Sequence, residues 1–146
     1  MRENLDRAFA FTISQETGNR PDGGYTKNPD DPGGETKWGI SKRFHPSVDI
    51  RNLTEDGAKA IYLSEYWLKA GCDSLPWPLD MVAFDSAVNP GLGFVLETLK
   101  TTRDFKTVLL RRIAHYRDCV KKRPADKEFF EGWVNRVLDL FSICYQ

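Results

Sequence analysis

Carboxylates crowd into one short stretch of this chain. Glu16 is followed by Asp22, Asp30, Asp31 and Glu35, set among Gly18, Pro21, Gly23, Gly24, Pro29, Pro32, Gly33 and Gly34. One acid on a rigid element and a second on a facing loop can cleave a glycosidic bond. The first protonates the leaving oxygen, while the second activates water or stabilises the oxocarbenium charge. Glu16 is the candidate proton donor. Asp30 and Asp31 are the best-placed partners, because turns on both sides can fix a carboxylate at a hairpin base. Thr36 is a candidate to hold water on the sugar face opposite Glu16. Turn formation is the competing role for aspartates here and accounts for some of them.

The element that must carry Glu16 is legible upstream. Leu5, Ala8, Phe9, Thr12, Ile13 and Glu16 recur at helical spacing, which predicts an amphipathic helix over residues 3 to 16, stopped by Gly18. Glu16 then lies on the core-facing stripe at the last turn. Desolvation and the negative end of the helix dipole would both raise its pKa, as a general acid requires. Residues 17 to 36 read as loop and a short irregular β-hairpin, with Tyr25, Thr26 and Lys27 in one arm and Glu35 to Ile40 in the other. Ser41 is placed to cap a short turn over Lys42 to Phe44.

Downstream the pattern is helical. Thr54 caps a helix from Glu55 to about Lys69, and Pro78 opens one that stops at Asn89-Pro90-Gly91. Further helices are predicted over 94 to 99, 104 to 122 and 124 to 143. Asp85 and Asn89 share a helix face amid apolar residues, where polar groups need partners. They either hydrogen-bond sugar groups or tie their helix to the Glu16 loop. Tyr25, Trp38, Tyr66, Trp67 and Trp77 offer flat faces for sugar rings, with core packing the competing role for each.

Composition narrows the function classes. Twenty-one basic and 21 acidic residues give a formal charge of zero, so no global field draws nucleic acid or an anionic membrane. Arg111, Arg112, Lys121, Lys122 and Arg123 form one local basic cluster, read as a solvated helix face. Cys72, Cys119 and Cys144 are widely spaced, against a disulfide framework or a zinc site. His45 and His115 are far apart in the sequence, and calcium-loop spacing is absent, so neither a metal nor a cofactor is expected. The N-terminal residues lack a signal-peptide run, and no segment is of membrane-spanning length.

Several motifs together resemble glycoside hydrolase family 108. They are Glu16, Gly23-Gly24-Tyr25, the run from Asn28 to Thr36 (N-P-D-D-P-G-G-E-T), Gly39-Ile40-Ser41, Ile61-Tyr62 with Tyr66-Trp67, Phe84-Asp85 with Asn89 and Gly91, and Gly132-Trp133-Val134-Asn135-Arg136. The resemblance is dense over roughly the first 95 residues and rests on the last motif beyond them. Family members are muramidases of phage endolysins and related bacterial proteins. The resemblance implies a mainly α, lysozyme-like fold with a small β-hairpin beside the cleft, and one catalytic domain over 1–146 with no separate cell-wall-binding domain.

It further implies Glu16 as catalytic acid, Asp31 in the aspartate role and Thr36 in the threonine role of phage lysozymes. Tyr25, Trp38, Tyr62, Asp85 and Asn89 are the candidate substrate-binding residues. Two departures accompany it. Residues 17–22 stand between Glu16 and Gly23-Gly24-Tyr25 where the family is compact, which makes Asp22 a rival acid. The family's peptidoglycan-binding helical pattern is missing over Glu97 to Arg103, so wall affinity is expected to be weak or to come from the cleft alone.

The expected protein is a monomeric endolysin that hydrolyses the β-1,4 bond between N-acetylmuramic acid and N-acetylglucosamine. It would accumulate in the host cytoplasm and reach the periplasm and cell wall by holin-dependent release, without inserting into a membrane. A lytic transglycosylase using Glu16 alone and a non-catalytic peptidoglycan-binding or secretion-accessory protein are the alternatives.

Overall fold

The computed structural model describes residues 2–27 and 34–146, with the side chain of Arg2 left aside. Helix α1 (Arg2–Thr17) buries Leu5, Ala8, Phe9, Thr12 and Ile13, the stripe read from spacing. Gly18 and Asn19 follow with φ near +60° and turn the chain away.

Three short strands form an antiparallel sheet in the order β1 (Thr26–Lys27), β2 (Glu35–Lys37), β3 (Ile40–Ser41). Thr26 pairs with Thr36, and Lys37 with Ile40. The expected hairpin is therefore present, with β3 added. The β2–β3 turn consists of Trp38 and Gly39, whose φ angles of +52° and +71° match the hand of a tight hairpin turn. Ile40, 1% exposed, pins the sheet to the core.

Thr54 caps α2 (Glu55–Tyr62), its hydroxyl accepting from Gly57 N at 3.1 Å. The expected continuation toward Lys69 changes pitch, running on as a π-helical turn over Leu63–Trp67. α3 (Leu79–Ser86) is buried on every side, as a central helix must be. Its end leads through a break at Asn89 (φ −148°) into α4 (Leu92–Leu99). α5 (Phe105–Lys122), capped by Asp104, and α6 (Lys127–Cys144) pack along each other. α1 and α5 contact α3, around which Trp67, Tyr62, Phe84, Met81 and Val82 make the core. Among the described residues no helix is long and apolar enough to cross a membrane.

Candidate active site

Glu16 stands where the helical body meets the small sheet. Its side chain is 27% exposed. On the sheet side, Gly39 lies against its stem: a Cβ added there would be 3.4 Å from Glu16 Cβ and 3.5 Å from Cγ, and would collide with the Tyr62 hydroxyl. That hydroxyl donates to Trp38 O at 3.1 Å, fixing the turn that presents Gly39. The Trp38 ring sits where a side chain on Gly23 would be, and its Nε1 donates to Leu53 O at 3.1 Å.

On the helical side, Arg136 Nη1 donates to Glu16 Oε1 at 2.6 Å. The environment foreseen from dipole and desolvation lacked this cation. Arg136 is itself held from behind. Its Nη2 donates to Asp85 Oδ1 at 2.7 Å and its Nε to Asp85 Oδ2 at 3.2 Å. Arg112 Nη1 reaches Asp85 Oδ2 at 2.7 Å, and Thr12 Oγ1 donates to Asp85 Oδ1 at 2.9 Å. Four elements, α1, α3, α5 and α6, thus meet on one carboxylate. Burial alone would push Asp85 up, but Arg112 and Arg136 outweigh it and hold the group below the usual carboxylate range. Arg136, despite the burial that opposes its charge, is held above the usual guanidinium value by Asp85 and then Glu16.

A cleft of about 470 Å³ opens beside Glu16 between the end of α1 and α6. Asn89, Phe129, Gly132, Trp133 and Arg136 help to line it, with Gln15 and Glu128 at its edge. It has the size of an ordinary small-ligand cleft, for which about 300–1,000 Å³ is typical.

The sequence candidates among the described residues fall into three groups. Glu16 and Asn89 line the cleft. Tyr25, Thr36 and Trp38 lie on the sheet side and do not line it. Tyr25 is occupied there, its hydroxyl donating to Glu35 Oε1 at 2.9 Å. Tyr62 and Asp85 do not serve as substrate contacts in this geometry: Tyr62 is 2% exposed and Asp85 wholly buried. Asp85 takes the second of the roles foreseen, tying its helix to Glu16 through Arg136. Asp31 lies outside the described residues, as does Asp30.

Asp22, the rival acid, serves its own turn. Oδ1 accepts from Gly24 N at 3.0 Å and Oδ2 from Arg20 Nη2 at 2.8 Å. Arg112 was read into a solvated basic face and is instead fully buried on Asp85. His45 has an acidic partner that sequence distance concealed, its Nε2 lying 3.1 Å from Glu65. Among the described residues no group of three or more His, Cys, Asp and Glu converges as a metal site would require.

The sequence reading missed Arg136 as Glu16's partner and Trp133 and Phe129 as cleft walls. A signal existed: Phe129, Gly132, Trp133 and Arg136 repeat at one-face helical spacing.

The model of the family described as glycosyl hydrolase 108 matches residues 13–91 of the chain. No curated protein matches it. Among solved structures, Brucella abortus SagA aligns over 99% of this chain and 95% of its own, with a TM-score of 0.70 at 23% identity. That likeness establishes the fold, a mainly α lysozyme-like one with a small antiparallel sheet.

Proposed function

The chain belongs to the glycosyl hydrolase 108 family, peptidoglycan-cleaving muramidases, and from that premise we propose that Glu16 is its general acid in hydrolysis of the β-1,4 bond between N-acetylmuramic acid and N-acetylglucosamine. One observation carries this reading. Glu16 is the carboxylate at the junction of helical body and sheet, gripped by Arg136 at one oxygen and opening on the cleft.

With Oε1 accepting from Arg136, Oε2 is the oxygen that carries the proton to the leaving group. The buried Asp85–Arg136 contact supports this direction of transfer, since the guanidinium cannot swing away without abandoning its hydrogen bonds to Asp85. Asp31 is the second carboxylate of this proposal, and Thr36, on β2, is its water-holding partner. Tyr25 and Trp38 flank the glycan there. The cellular setting proposed is that of a phage-type endolysin, released to the periplasm through a holin lesion.

The test is reducing-sugar release from purified sacculi by wild type and Glu16→Gln, with thermal melts of both. We expect the folded variant to lose activity by about 10³-fold, the scale of a missing general acid. Activity within a few-fold of wild type would remove Glu16 from the role. Products ending in 1,6-anhydro sugars would reassign the reaction to a lytic transglycosylase.

A further inference from the structure

Helix α6 shows one face to the cleft, through Phe129, Gly132 and Arg136, and another to its seam with α5. Two hollows open along that seam. One, of about 360 Å³, is lined by Leu110, Ile113, Leu138 and Phe141 with Lys106. The other, of about 270 Å³, is lined by Val120 and Phe130 with Arg117, Lys121 and Lys127. Lys106, Leu110, Ile113, Arg117, Val120 and Lys121 recur at helical spacing, so one stripe of α5 forms a bank of both hollows. From Lys106 to Lys121 that stripe runs about 22 Å.

The seam combines apolar surface with positive charge. Leu110 is 67% exposed on one bank and Leu138 53% on the other, a concentrated apolar face rather than scattered residues. Exposed Tyr145 stacks on Phe141 with ring centroids 5.4 Å apart, and Lys106 Nζ lies 5.4 Å from the Tyr145 ring centre. Among the described residues that line the hollows, every charged one is a cation. Two acids stand close by: Asp118, 3.4 Å from Arg117, and Glu131, one turn from Lys127 on α6. The cations outnumber them. A second copy of this chain laid on the seam, in either direction, would set cation against cation. An anionic bilayer offers phosphates to the cations and acyl chains to the leucines. Lysine and arginine stems can lie along apolar surface while their heads stay at phosphate level, and a tyrosine suits the same depth.

We propose that the α5–α6 seam is a docking surface for an anionic phospholipid bilayer, with Leu110 and Leu138 entering the boundary between headgroups and acyl chains and Lys106, Lys121 and Lys127 meeting the phosphates. The contact is one-sided and interfacial, since no described helix is long and apolar enough to cross a membrane. The chain's formal charge of zero does not oppose it, because the attraction acts within a Debye length, about 10 Å at 0.1 M salt. Docking here is independent of the glycosidase reading: the seam shares no lining residue with the cleft beside Glu16.

The test is co-sedimentation of the full chain with vesicles of phosphatidylcholine alone and of equal parts phosphatidylcholine and phosphatidylglycerol. Wild type is compared with the pair Leu110→Gln and Leu138→Gln, the pair Lys121→Gln and Lys127→Gln, and Leu96→Gln, each checked by thermal melt. Leu96, on α4 and 41% exposed, is an apolar control outside the seam. Wild type should bind the mixed vesicles at low salt and bind them less at about 1 M, where charges are screened within about 3 Å. The leucine pair should lose at least about tenfold in partition and the lysine pair at least about fivefold, while Leu96→Gln stays within about twofold. Hydrolysis of purified sacculi, which hold no bilayer, should stay within about twofold of wild type for the leucine pair.

Wild type that stays in the supernatant with the mixed vesicles would overturn the proposal, as would equal sedimentation with phosphatidylcholine alone. So would a folded leucine pair that partitions like wild type, or an equal loss in Leu96→Gln. A concentration-dependent dimer in analytical ultracentrifugation that the leucine pair abolishes would give the seam to a second copy of the chain and overturn the bilayer assignment.

Discussion

Glu16 is held from two sides by two kinds of physics. On the helical side the agents are charges: Asp85, wholly buried, with Arg112 and Arg136 on it, and Arg136 in turn on Glu16. On the sheet side the agents are shapes: strands of two or three residues, a turn with positive φ at Trp38 and Gly39, and contact between Gly39 and the Glu16 stem. The charged side draws together residues up to 120 positions apart. The shaped side is local in sequence and exposes much of its surface. Direction at the acid therefore comes from long-range ion pairing, whereas clearance around it comes from local backbone conformation.

Breaking the charged side should have the largest effect on stability. Asp85→Ala leaves two guanidinium groups facing each other in the interior, and one-sided removal of a buried pair costs about 3–5 kcal/mol. Urea unfolding would read that loss, and sacculus hydrolysis should fall with it because Arg136 loses its orienting anion. A cost below about 1 kcal/mol would mean that the cluster is replaceable and the comparison misdrawn.

The same group gives a pH signature. Arg112 and Arg136, opposing burial, hold Asp85 below its unfolded value. Its stabilising contribution is therefore complete above about pH 4 and is lost as acid titrates through the folded value. Asp85→Asn should flatten the acid limb of the stability curve relative to wild type; an unchanged limb would place the acid sensitivity elsewhere.

The shaped side should yield less. Gly39→Ala puts a side chain at φ +71° and against the Tyr62 hydroxyl, a strain of about 1–3 kcal/mol. Tyr62→Phe removes the obstructing atom, so the double variant should be more stable than the sum of the single losses allows. Thermal melts of the four proteins would show this. Strict additivity would mean that Gly39 matters for its φ alone.

The two sides also differed in how far the sequence disclosed them. Helix α1 was legible because its stripe is periodic and Gly18 ends it, and Thr54 announced α2 by cap chemistry. Hairpin arms could be drawn from glycines and prolines, although β3 was missed because two residues carry no periodicity. The charged cluster was almost illegible. Asp85 offered a buried polar group needing partners, yet nothing local says that they come from Arg112 and Arg136, 27 and 51 residues away. Arg112 lies beside Arg111, which is exposed, and the pair reads as solvated surface until α5 is rotated onto α3. Trp133 stood in a family motif, but its role was illegible for the same reason: its value as a cleft wall depends on Tyr116 behind it, a contact between helices.

The smallest expected effect lies just outside both sides. Residues 17–22 form a turn of their own, with Arg20 N donating to Thr17 O at 3.3 Å and Gly23 N to Arg20 O at 3.0 Å. Asp22 closes that turn with both carboxylate oxygens, and its side chain is 52% exposed. It therefore neither presents a free carboxyl to the cleft nor supports the groups that aim Glu16. Asp22→Asn keeps an acceptor for Gly24 N and loses only an exposed ion pair, worth about 0–1 kcal/mol. Hydrolysis should stay within about threefold of wild type, since no transition-state contact is removed. A loss approaching that of Glu16→Gln, in a variant that melts like wild type, would transfer the acid's role to Asp22 and make the turn, rather than the end of α1, the element that catalysis depends on.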